Sequence, residues 1–126
     1  MNRHFVPYKI GLKLKDLGFD MACLASYSKE DEFNFTTGSY MYKVTPCEPE
    51  FCIVPLWQQA FQWFRERHNL MGVPDYDETT KKYYYFINTM DSGEVNFSKD
   101  YPSYDEAQLA CLEKLIEYVK TEEIKL

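Results

Sequence analysis

The sequence predicts an α+β fold, a small antiparallel sheet with about three helices in the order α-β-β-α-β-β-α. Three observations lead there. Residues 55–68 place Trp57, Phe61 and Phe64 at i, i+4 and i+7, and Leu56, Ala60 and Trp63 repeat that spacing alongside. This is the pattern of a helix with a broad apolar face. Tyr83-Tyr84-Tyr85-Phe86-Ile87 is a run of strand-favouring residues, and Met90-Asp-Ser-Gly-Glu94 after it reads as a hairpin turn. Ser103-Tyr-Asp-Glu106 is a capping box ahead of Leu109, Leu112, Ile116 and Val119, which recur at 3-4-3 spacing. Strands that return by hairpins, with helices at either side, make an α+β layout.

Taken in order, Val6 to Leu17 reads as the first helix. Pro7 suits its first turn, and Ile10, Leu14 and Leu17 line one face while Lys9, Lys13 and Asp16 fall away from it. Gly18 is a left-handed stop, with Phe19 placed to fold back on the last turn. Gly11 weakens the middle of this helix and implies close packing against another element. Met21 to Ser28 is a short apolar strand that ends at the acidic turn Glu30-Asp31-Glu32. Residues 33–44 carry Phe33, Phe35, Tyr40, Tyr42 and Val44 as extended structure broken near Gly38.

Pro46, Pro49 and Pro55 mark residues 45–55 as a loop into the central helix. Residues 71–82, with Gly72, Pro74, Asp75, Asp77 and Glu78, read as a polar connector. Val95 to Ser98 is the return strand before the final helix. Trp57, Phe61, Phe64, Leu112 and Ile116 are expected to share a core. At 126 residues the chain suits a single domain, 1–126, with enough length to bury a core without staples.

Composition narrows the function classes. A net charge of −6, from 14 basic and 20 acidic residues, points away from nucleic acid, where cations must displace condensed counterions. The cations Arg3, Lys9, Lys13 and Lys15 near the start read as a solvated helix face. No stretch approaches the roughly 18 apolar residues of a membrane span. The first seven residues lack the apolar run of a signal peptide, so a cytoplasmic protein with reduced thiols is expected. The 11 Tyr and 9 Phe fit either a recognition surface or a small core filled by rings.

For chemistry, Cys47 and Cys52 are the best-spaced metal candidates, because two thiols separated by four residues can form half of a zinc site. The second half is missing. Cys23 and Cys111 lie in apolar elements and only His4 and His68 add imidazole, so core thiols are the favoured reading and no cofactor is expected. Cys111, between Ala110 and Leu112, would be inert. His68 follows Arg65 and Arg67 at a helix end that favours imidazolium, and reads as an exposed C-terminal histidine. Asp75, Asp77 and Glu78 lack the interval and glycine of a calcium loop. There is no nucleophile elbow, no phosphate-cradling loop and no zinc-protease motif, so no catalytic residue is assigned.

The tyrosine strand points elsewhere. Successive strand residues face opposite ways, so Tyr84 and Phe86 share one face and Tyr83, Tyr85 and Ile87 the other. With helices on the first face, the Tyr83, Tyr85 and Ile87 face becomes an exposed interaction surface for an unknown protein partner or for a homodimer. Helices or the 33–44 segment covering both faces would make all five core residues instead. Only Lys81 and Lys82 are near, which favours protein over nucleic acid.

Pro55-Leu-Trp-Gln-Gln-Ala-Phe-Gln-Trp-Phe-Arg-Glu66, Tyr104-Asp-Glu-Ala-Gln-Leu-Ala-Cys-Leu-Glu-Lys-Leu-Ile-Glu117 and Lys13-Leu-Lys-Asp-Leu-Gly-Phe19 together resemble small uncharacterised proteins of gut bacterial prophages and mobile elements. That resemblance implies a context and no site residues. A tyrosine-rich hairpin followed by Tyr104-Asp-Glu-Ala and a helix also resembles the arm-binding domains of phage integrases. Those are basic and read DNA with a three-stranded sheet, whereas this segment is acidic and is expected to supply two strands. The expected function is a non-enzymatic protein-interaction module, an accessory factor of a mobile element. The alternatives are a nucleic-acid-associated regulator using Lys9, Lys13, Lys15, Lys81 and Lys82, and an enzyme or zinc-dependent protein.

Overall fold

The computed structural model describes residues 2–35 and 49–125. Among the described residues the fold is α+β, with three α-helices and two three-stranded antiparallel sheets. Its contacts gather into two compact units, Met1–Ala60 and Phe61–Leu126.

In the first unit, α1 (Tyr8–Asp16) follows Pro7, whose φ of −64° is already suited to the helix start. It ends as its residues dictate. Gly18 takes a φ of +86°, its N–H reaches the Lys15 carbonyl, and the Phe19 N–H reaches the Leu14 carbonyl, each at 3.0 Å. This is a Schellman stop, and Phe19 is buried behind it. The strands β1 (Ala25–Tyr27), β2 (Phe33–Phe35) and β3 (Cys52–Val54) pair in the order β2-β1-β3. Gly11 shows why α1 tolerates a glycine. A Cβ there would lie 2.7 Å from Val54 Cγ1 and 2.9 Å from Cys52 Sγ, so the helix backbone rests directly on β3. Phe5, Val6, Ile10, Leu14, Ala25 and Val54 are buried in this unit.

The strand β3 corrects the expected loop over 45–55. Three residues bracketed by prolines are too few to display an alternation, and all three are buried, so nothing polar marks a period. The expected extended residues 40–44 lie outside the described residues.

The helix α2 (Trp57–His68) spans the boundary between the units, and its first turn belongs to the first. Trp57 is half-buried there, its Nε1 donating to the Arg3 carbonyl at 3.1 Å. Phe61, Phe64, Leu112 and Ile116 are all buried in the second unit. Trp57 therefore departs from the expected shared core: its indole N–H needs an acceptor, and Arg3 supplies it.

The second unit builds one meander, β4 (Leu70–Asp77), β5 (Lys82–Thr89) and β6 (Glu94–Phe97), paired in that order, and then α3 (Tyr104–Lys125). The expected polar connector is β4. Pro74 is tolerated because β4 is an edge strand, where a missing N–H on the outer side breaks no ladder. The β4–β5 turn is closed by Lys81 N–H to the Asp77 carbonyl at 2.8 Å, and Lys81 adopts a φ of +59°. The β5–β6 turn uses Gly93 at φ +75°. Ser103 caps α3 as expected: its Oγ accepts the Glu106 N–H at 3.2 Å and donates to Glu106 Oε2 at 3.2 Å. Among the described residues, no helix is long and apolar enough to cross a membrane.

Candidate functional site: the open face of the second sheet

The register of β4, β5 and β6 decides which side chains share a face. Pairing Gly72 with Ile87, Pro74 with Tyr85 and Tyr76 with Tyr83 puts these six on one side. A Cβ on Gly72 would lie 2.8 Å from both Cys111 Sγ and Leu115 Cδ1, so this is the side that α3 covers. Of the residues expected on an exposed surface here, Ile87 is buried and Tyr83 and Tyr85 are half-buried. Ile87 is 1% exposed. Tyr85 is half-buried, and burial first, then the charges of Tyr101, Cys111, Tyr118 and Glu117, push its phenol up to about 12. Tyr83 packs between Tyr76 and Tyr104, with ring centroids at 5.0 and 6.1 Å. The helix chose this face because Gly72 leaves no side chain opposite Ile87, and a helix can approach a sheet closely only over such a gap.

The opposite face is the open one. Val73 pairs with Phe86, Asp75 with Tyr84, Asp77 with Lys82, and Phe86 in turn with Phe97. Phe97 is 68% exposed and Val95 41%. The Phe97 ring lies 5.8 Å from Phe86 and 6.2 Å from Tyr84, so the three rings form one continuous aromatic strip across two strands. Partial burial, then the charges of Asp75 and Asp77 and a hydrogen bond with Asp75, hold the Tyr84 phenol above its ordinary value. Beside the strip is a solvent-open hollow of about 550 Å³, lined by Asp77, Glu78, Tyr84, Phe97, Ser98 and Asp100. The arrangement offers apolar area with an acidic margin.

Phe97 and Val95 were legible in part. Glu94-Val-Asn-Phe97 alternates, so both fall on one face of the return strand. What the sequence did not disclose was β4, which brings Asp75 and Asp77 to that same face.

Cys111 lies on the α3 side of this sheet, opposite the open face. Burial pushes Cys23 and Cys111 each up to about 12. Cys52 rises to about 11, burial outweighing the opposing charge of Lys15. All three are buried and protonated at neutral pH. Cys47, the other half of the candidate zinc pair, lies outside the described residues. Among the described residues, no three His, Cys, Asp or Glu side chains gather where they could hold a metal ion. His4 is exposed. His68 is half-buried, not the exposed end expected, and packs its ring 4.8 Å from Trp63 and 6.0 Å from Phe64. Of the lysines considered for nucleic acid, Lys9, Lys13 and Lys15 belong to the first unit and Lys81 and Lys82 to the second. The Lys15 ammonium donates to the Phe51 carbonyl at 2.7 Å.

No family model, curated protein or solved structure matches this chain.

Proposed function

We propose that the chain is a non-enzymatic protein-interaction module that docks a partner on the open face of its second sheet. In keeping with the prophage resemblance, it acts as an accessory factor of a mobile element. The observation that carries this reading is the aromatic strip of Tyr84, Phe86 and Phe97, in which Phe97 leaves most of its ring in water. Tyr84 and Phe86 are half-buried beside it, and an exposed ring continuous with others and edged by polar residues fits a docking surface. The protonated, buried thiols supply no ready nucleophile at Cys23, Cys52 or Cys111.

One observation favours the nucleic-acid reading. The meander has three strands with a helix behind, the layout that the resemblance to integrase arm-binding domains implies. Charge opposes it. From residue 70 to 103 there are six carboxylates (Asp75, Asp77, Glu78, Asp91, Glu94, Asp100) against three lysines (Lys81, Lys82, Lys99). Asp75 and Asp77 stand on the face that would meet phosphates.

A photo-crosslinking benzophenone side chain at position 97, expressed in the native host, tests the docking reading. A discrete protein adduct that is lost when the group is moved to position 113 on α3 is the expected result. No adduct at position 97, or the same adducts from both positions, refutes it. Salt-sensitive binding of the unmodified protein to duplex DNA establishes the rival.

A further inference from the structure

The chemistry around the strip says what kind of partner it takes. Aromatic faces carry partial negative charge and attract cations. Here they are edged by carboxylates: Asp75 and Asp77 on the same face, and Glu78 and Asp100 around the hollow beside Tyr84 and Phe97. Among the described residues of this face in β4, β5 and β6, one is a cation, Lys82, at its end. Burial first, and then the charges of Asp75 and Asp77, raise the Tyr84 phenol.

We infer that this face takes an extended basic segment of a partner protein, its apolar side chains lying on Phe97 and Val95 and an arginine or lysine seated in the hollow between Tyr84, Phe97, Asp77, Glu78 and Asp100. The inference rests on the docking reading above. A guanidinium fits best, because it stacks on a ring while its edge donates to carboxylates. Phosphates would meet Asp77 and Asp100, and an anionic lipid surface would be repelled by the same groups. A second copy would bring carboxylates against carboxylates, which costs affinity.

Fluorescence anisotropy with labelled peptides tests this on the full chain. The probes are three extended peptides alternating valine with arginine, glutamine or glutamate. The arginine peptide is expected to bind, and added salt to weaken it. Phe97→Ser, and separately Asp77→Asn with Asp100→Asn, should each reduce its affinity by about tenfold. Glu113→Gln on α3 removes a charge on the covered side and should leave affinity unchanged. Thermal unfolding of each variant confirms that the fold persists.

No binding of the arginine peptide, or binding insensitive to both site variants, overturns the inference. Equal binding of the glutamine peptide also overturns it. If position 97 still crosslinks a protein in either case, the docking reading survives its loss. Self-association in light scattering that Phe97→Ser abolishes assigns the face to a second copy and overturns the inference too.

Discussion

Gly72 is the residue on which the second unit turns. Its missing side chain lets Cys111 and Leu115 approach within contact distance of the strand backbone. Gly72→Ala forces either the thiol or the leucine to move within a packed layer, and should cost about 1–3 kcal/mol. A denaturant midpoint equal to that of the unmodified protein would show that the layer yields freely. Thiol titration acts at the same scale. Cys111 has an ordinary value of 9.0 and is held up to about 12 by burial, so the folded state keeps its proton longer than the unfolded chain. Its contribution is whole below pH 9.0 and is lost as pH rises from there towards about 12. Cys23 adds a loss over the same window, and Tyr85 adds one above its ordinary 10.0. Urea midpoints measured at rising alkaline pH should therefore fall. Cys111→Ala should make that fall shallower, and an identical slope would assign it to other groups.

At the scale of elements, α2 and the β5 strand carry the sharpest tests. Phe61 is 6% exposed on the α2 face that also buries Ala60 and Phe64. Phe61→Ala should cost about 3–5 kcal/mol by removing a ring from a packed site. A thermal midpoint that does not move refutes the placement. In β5, the two sides of the strand should respond oppositely. Replacing Tyr83 and Tyr85 together by Ser strips the layer beneath α3, so the expected outcome is a lowered midpoint and not a lost assembly. Phe97→Ser, on the open side, should shift stability by no more than about 0.5 kcal/mol. If the tyrosine pair proves harmless while Phe97→Ser unfolds the protein, the two faces have been assigned the wrong way round.

For the molecule as a whole, the charge of −6 sets long-range behaviour. It disfavours encounter with polyanions and favours encounter with basic partners. The chain is therefore expected not to shift generic duplex DNA in a gel even at low salt. A shift that weakens as salt rises would require a local cationic surface strong enough to overcome that total.

Local chemistry was enough to determine where α1 ends and α3 begins, and which residues of α2 and α3 are buried apart from Trp57. Pro7, Gly18 with Phe19, and Ser103 with Glu106 act on neighbours within one helical turn, so their effects were readable from sequence. The apolar spacing of Phe61, Phe64, Leu112 and Ile116 likewise depends only on helical geometry. The strands β3 and β4 were not readable, because one is too short for a period and the other hides its alternation behind Gly72, Pro74 and two aspartates. The choice of face on β5 was also beyond local reading. Both faces are aromatic, so a period of two names two candidates and prefers neither. Pairing with β4 brought Gly72 opposite Ile87, and that gap let α3 settle on the Tyr85 side. Contacts between residues far apart in the chain thus covered one aromatic face, and left Tyr84, Phe86 and Phe97 as the other.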